Sequence, residues 1–124
     1  MIQAGNATLF VKDFDGAVRF YTEVLGLKLR FRAENHWAEV TPGKDLVIGI
    51  HPVGPKTPGA GLIGSIHLGF NLDEPLDDVM TTLKSRGVAF EGEVVEDDGV
   101  GRFAYLKDPE GNAIYLWESA VVTK

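Results

Sequence analysis

The chain carries three histidines, His36, His51 and His67, and no cysteine. Imidazole is the side chain that changes charge near neutral pH and binds divalent metals as a neutral base. Without cysteine, disulfides, thiolate nucleophiles and sulfur-ligated metals are excluded. His67 lies in an alternating run, Ile66–Leu72, where it reads as a metal ligand, a general base or a hydrogen-bonding group. His51 precedes Pro52 at the end of a second such run, which equally suits a partly exposed strand-end histidine. His36, within RAENHW, reads as a surface-loop residue. Trp37, Tyr115 and Trp117 supply ring faces that stack on planar or cationic groups, although the same rings also suit a dimer interface. Glu39 and Glu118 are the carboxylates near these rings, and strict alternation sends Glu118 to the opposite side from Tyr115. Arg102 and Lys107 read as solvated. No phosphate-binding loop, dinucleotide fingerprint, nucleophile elbow or helical metal motif occurs.

The elements that would position these residues come twice. Slid by 61 residues, the chain aligns Asn6 with His67, Val11 with Leu72, Val18 with Val79 and Gly26 with Gly87. Each copy reads as an alternating strand, an acidic turn, an amphipathic helix, a glycine stop and further strands. The first copy has a strand over Ala7–Val11, a helix over about Asp15–Leu25 and Gly26 as its stop. The second has a strand over Ile66–Leu72, then Pro75 in the first helical turn, a stripe of Leu76, Val79, Met80 and Leu83, and Gly87. Hairpin-like pairs close each copy: Trp37–Thr41 with Asp45–His51, and Arg102–Lys107 with Ala113–Trp117. Proline and glycine form their turns. Residues 52–64 hold three prolines and four glycines in thirteen positions, which suits a linker and not a helix or central strand.

Period-two reading assigns two faces to these strands. Ala7, Leu9, Val11, Leu46, Ile48, Ile50, Ile66, Leu68, Phe70, Ile114 and Leu116 are all apolar and are expected under the helices. Asn6, Thr8, Phe10, Val47, Gly49, His51, Ser65, His67, Gly69, Ala113, Tyr115 and Trp117 form the other face. Small, polar and aromatic residues in that mixture line a cavity better than they fill a core.

The strings VKDFDGAVRFYTEVLGLKL, HLGFNLDEPLDDVMTTLKSRGV and GRFAYLKDPEGNAIYLWE, in this order, resemble the vicinal oxygen chelate superfamily of glyoxalases, bleomycin-resistance proteins and extradiol dioxygenases. The resemblance implies an α+β fold of two βαβββ modules, forming a curved mixed sheet around a cavity, and a homodimer in many members. It also places metal ligands on the first and last strands of each module. Carried onto this chain, those positions are Asn6, Gly49, His67 and Tyr115, and of these only His67 fits the usual histidine or glutamate. A catalytic divalent site needs about three protein ligands and an open position. The expectation is therefore a protein without a catalytic metal. A divalent ion (Zn²⁺, Ni²⁺, Mn²⁺ or Fe²⁺) at His67, helped by His51 and Tyr115 with Glu118 as base, is the competing one.

The chain has 124 residues, 44% apolar and 24% charged, which suits one globular domain: module one 1–51, linker 52–64, module two 65–120. The net charge of −6 argues against nucleic acid and anionic membranes as partners. The first residues lack the pattern of a secretory signal, so a cytoplasmic protein is expected. The functional expectation is a small-molecule binding protein that sequesters its ligand. Its ligand-binding residues would be Asn6, Thr8, Trp37, Gly49, His51, His67, Tyr115 and Trp117, and no catalytic residue is assigned. A metal-dependent lyase, isomerase or dioxygenase with a remodelled site is the alternative.

Overall fold

The computed structural model describes Met1 and residues 6–43, 45–55, 57, 59 and 66–120. It divides into two compact units, Met1–Leu62 and Ile63–Lys124. Of the segment 52–64 read as a linker, residues 56, 58 and 60–64 lie outside the described residues, as does Ser65.

Unit one runs β1 (Ala7–Val11), α1 (Phe14–Arg19), a π-helical stretch (Phe20–Val24), β2 (Lys28–Ala33), β3 (Trp37–Thr41) and β4 (Ile48–Pro52). Unit two runs β5 (His67–Asn71), α2 (Leu76–Ser85), β6 (Glu91–Asp97), β7 (Gly101–Lys107) and β8 (Ala113–Ser119). The sheets have equivalent orders, β1-β4-β3-β2 and β5-β8-β7-β6. In each, the first strand pairs parallel with the last, and the other pairings are antiparallel. The architecture is thus α+β with two βαβββ modules, and the repeat read in the sequence is a repeat of topology.

Local chemistry sets the helix boundaries. The Asp13 side chain accepts from the Gly16 amide at 3.0 Å, capping α1. Gly26 (φ +79°) and Gly87 (φ +91°) take the left-handed conformation after their helices, as expected of C-terminal stops. One helix departs from expectation. Instead of continuing as α to Leu25, it widens after Arg19, and the Leu25 amide bonds the Phe20 carbonyl five residues back at 3.0 Å. The Thr22 hydroxyl occupies the Val18 carbonyl at 2.7 Å, competing for the acceptor that the Thr22 amide would use in an α-helix. In unit two the Asp108-Pro-Glu-Gly-Asn turn is self-bonded. The buried Asp108 carboxylate accepts from the Glu110 amide at 2.9 Å and from the Asn112 amide and side chain at 2.8 Å each.

The helix-facing sides form the two cores. Leu9, Val11, Val40, Ile48 and Ile50 are buried with Ala17, Val18 and Tyr21. Leu68, Phe70, Ala104, Leu106, Ile114 and Leu116 are buried with Leu76 and Leu83. At roughly 2 kcal/mol for each large side chain removed from water, these faces carry the stability of the units. The apolar assignment fails at its ends. Ala7 is exposed and Leu46 and Ile66 are half-buried, because each stands at or just outside a strand end. No described helix is long and apolar enough to cross a membrane.

Candidate functional site

The opposite face of each sheet holds the candidate residues. In unit one, Thr8, Gly49, Glu39 and Phe31 are register neighbours in one row across the four strands. Beside them Phe10 pairs with His51, with ring centroids 5.6 Å apart, and Trp37 approaches His51 at 6.3 Å. The Trp37 ring lies across Gly49: a Cβ there would overlap Cη2 and come within 2.8 Å of Cζ2 and 2.9 Å of Cζ3. The indole N–H donates to Glu39 Oε2 at 2.9 Å, and Glu39 Oε1 lies 3.6 Å from Arg30 Nε. His51 Nδ1 stands 2.7 Å from the Pro52 carbonyl. A carbonyl only accepts, so Nδ1 is the donor in this contact. The Thr8 hydroxyl donates to Asn6 Oδ1 at 3.2 Å, so these two polar groups occupy each other.

In unit two the rows are His67–Ala113–Lys107, Gly69–Tyr115–Tyr105 and Asn71–Trp117–Phe103–Val95. Tyr115 lies across Gly69, its hydroxyl end included. From it the rings continue: Tyr105 at 6.4 Å, Phe103 at 6.0 Å, and then Trp117 at 6.1 Å from Phe103 with the two planes 3° apart. The Trp117 N–H reaches the Val100 carbonyl at 3.3 Å. Tyr115, Trp117 and Phe103 are half-buried and Tyr105 is exposed. Sequence reasoning missed Phe103 and Tyr105. The signal was present in the alternation Arg102, Phe103, Ala104, Tyr105, Leu106, where the even positions turn to the helix and the odd ones join the rings.

Three expectations about charged groups change or sharpen. Arg102 is one-third exposed but not simply solvated: its guanidinium meets Asp77 of α2 at 3.2 Å, Glu96 at 3.4 Å and Glu118 at 3.6 Å. The hydrogen bond to Asp77, then the three surrounding carboxylates, hold its proton more firmly than usual against the opposing effect of desolvation. Lys107 likewise pairs with Glu91 at 3.4 Å. Glu118 points with Arg102, away from Tyr115, as alternation implied. Glu96, Asp97, Asp98, Arg102, Glu118 and Ser119 line a cavity of about 290 Å³ in this unit. In unit one the matching strap is Arg32, bonded to Asp15 and, at 3.0 Å, to Asn35, and stacked 5.1 Å above the Phe14 ring.

The positions do not fit a divalent ion. Gly49 offers no donor atom and is roofed by Trp37, Tyr115 lies over a glycine, and His67 is exposed at the first residue of β5. Among the described residues no three His, Asp or Glu side chains gather in a way that could hold a metal.

A family model described as Glyoxalase/Bleomycin resistance protein/Dioxygenase superfamily matches residues 3–116. Among solved structures, the chain is similar to a glyoxalase/bleomycin resistance protein from Streptomyces sp. CB03234, with 31% identity, 91% of this chain and 99% of that chain covered, and a TM-score of 0.66. TnmS3, an antibiotic binding protein from Streptomyces sp. CB03234, shares 29% identity over 97% of this chain and 99% of its own, with a TM-score of 0.72. Lactoylglutathione lyase from Agrobacterium tumefaciens shares the fold at 20% identity and a TM-score of 0.73, over 94% of this chain and 92% of that one. Among curated proteins, none matches the chain.

Proposed function

We propose a function from family membership: the chain belongs to the glyoxalase/bleomycin resistance protein/dioxygenase superfamily, and within it acts as a small-molecule binding protein that sequesters its ligand without a catalytic metal. The observation that carries this reading is the run of rings Tyr105, Tyr115, Phe103 and Trp117 on the sheet face opposite α2. Aromatic side chains left half-exposed in contact with one another forgo burial in the core and offer π faces to a partner. A similar protein is described as antibiotic binding, which supports a small molecule as that partner. In this reading the ligand-facing residues of unit one are Asn6, Thr8, Trp37, Gly49 and His51, and those of unit two are His67, Tyr115 and Trp117.

Sequestration needs affinity and no reacting group, so glycine and tyrosine at the family's donor positions cost it nothing. A metal-dependent lyase, isomerase or dioxygenase needs about three protein donors, and the donor set on these strands does not supply them. The chain works as a homodimer in this reading, with exposed Leu29, Phe31 and Val95 as apolar surface available for association.

Thermal unfolding against a panel of small molecules tests the proposal. A ligand at a hundred times its Kd stabilises by about 2.7 kcal/mol, and the shift should shrink in Trp117→Ala. If no compound shifts the transition, the binding reading fails. Calorimetry with Zn²⁺, Ni²⁺, Mn²⁺ and Fe²⁺ tests its metal-free part, which tight stoichiometric binding lost in His67→Ala would overturn. Sedimentation equilibrium tests the dimer.

A further inference from the structure

We propose that Gly49 and Glu39 are positioning residues that hold Trp37 across the sheet face of unit one opposite its helix, and that the indole face so presented stacks on a flat unsaturated ring of the bound molecule. The inference rests on the small-molecule reading above and names the ligand class.

Gly49 is not glycine for the sake of its backbone. Its φ is outside the left-handed region, where only Gly26, Gly87, Gly92, Gly99, Gly101 and Gly111 fall among the described glycines. As a strand residue it has a backbone conformation that any residue adopts. The three atoms nearest a Cβ there all belong to the Trp37 ring. The ring's position requires that this residue have no Cβ.

A second constraint acts at the other end of the indole. Glu39 follows Trp37 by two residues, so both side chains stand on one face. The carboxylate accepts a hydrogen bond from the indole N–H at 2.9 Å and is itself held by Arg30 at 3.6 Å. One ring edge is fixed by a charge-assisted hydrogen bond and one face rests on bare backbone. The half-buried ring has a second face, electron-rich by its quadrupole. An adjacent carboxylate on its N–H strengthens its attraction for a flat ring carrying positive charge. Immobilising the platform beforehand lowers the ordering cost of binding.

The test uses proflavine, a flat tricyclic cation, with 1-adamantylamine as a cation that is not flat. Emission of Trp37 is read in a Trp117→Phe background, where it is the sole tryptophan, and probe affinity is read with Trp117 intact. Gly49→Ala and Glu39→Ala should at least double acrylamide quenching of Trp37 and weaken proflavine about tenfold, the factor expected for losing one ordered stacking contact. Glu39→Gln, whose side-chain carbonyl still accepts from the indole N–H but carries no charge, should keep the quenching near that of the parent and weaken proflavine less than Glu39→Ala does, and adamantylamine should lose less affinity than proflavine in every variant. Unchanged quenching in Glu39→Ala overturns the positioning, and this variant decides the matter alone if Gly49→Ala does not fold. Proflavine affinity indifferent to Trp37→Ala, or absent while other compounds of the panel bind, overturns the stacking and leaves the binding reading standing. Failure of the whole panel overturns the binding reading itself.

Discussion

The two units place an aromatic ring over a strand glycine, but they draw ring and glycine from different strands. In unit one Trp37 reaches from β3 across Gly49 of β4; in unit two Tyr115 reaches from β8 across Gly69 of β5. Their straps differ in the same way. An Asp of each helix meets an Arg of each sheet, but the Arg comes from β2 in unit one (Arg32) and from β7 in unit two (Arg102). The sheets and the helix positions are otherwise equivalent. The helix-facing residues therefore conserve the topology by being apolar and of suitable size, while the faces opposite the helices reach similar arrangements by separate routes. A face that repeats a device without repeating its positions is under a demand other than folding.

If the helix-facing sides are equivalent, matched truncations should hurt equally. Ile48, paired with Ala7, and Ile114, paired with Leu68, occupy corresponding places and are 0% and 1% exposed. Ile48→Ala and Ile114→Ala should each cost about 2–5 kcal/mol in urea unfolding, the largest effects expected here. A difference of more than about half that range would mean that one unit carries the fold and would break the equivalence.

The faces opposite the helices should show the next effect as coupling. Gly49→Ala should destabilise by about 1–3 kcal/mol through overpacking against Trp37, and most of that cost should vanish in a Trp37→Ala background. The same cycle with Gly69→Ala and Tyr115→Ala should behave alike. Additive costs in either cycle would show that the glycine serves something other than the ring.

How much of this could be read beforehand follows from the range of the interactions. The strands, the two stops at Gly26 and Gly87 and the split between apolar and polar faces depend on neighbours two to four residues apart, and they were legible. The widening of the first helix was not, because it turns on a single hydroxyl at Thr22 competing for one carbonyl. Arg102 was misread because its partner Asp77 lies 25 residues away on another element. Gly49 read as a missing metal donor, whereas its meaning lies in the ring of Trp37 on the neighbouring strand. Phe103 and Tyr105 alternate plainly, but alternation alone does not tell that their rings meet Trp117 and Tyr115 of the neighbouring strand.

The straps supply a smaller contrast. Arg102→Met would leave Asp77, Glu96 and Glu118 facing one another without a cation. With a side chain one-third exposed, its loss should destabilise the protein by less than either core truncation does. The cost should fall in high salt, which screens the carboxylates from one another. A cost insensitive to salt would mean that Arg102 acts through its packing and not its charge.

Acid should distinguish the straps, with the smallest effect of all. The Asp15 carboxyl is held below its usual range first by its hydrogen bond to Arg32, then by the charges of Arg32 and Arg19, against a desolvation effect that works the other way. A carboxyl with a lowered folded-state pKa contributes stability that is fully present above its unfolded value and disappears as pH falls through the folded one. Asp15→Asn should therefore be less stable than the parent at neutral pH, and the two should converge as pH falls below the ordinary carboxylate range near 4. The guanidinium of Arg102 is shifted upward, so its own linkage lies at strongly alkaline pH, out of reach of the same titration. Urea unfolding of both proteins from pH 7 to pH 3 reads the convergence. A gap that stays constant down to pH 3 would mean that Asp15 serves unit one as a residue of the first helical turn and not as the anion of its strap.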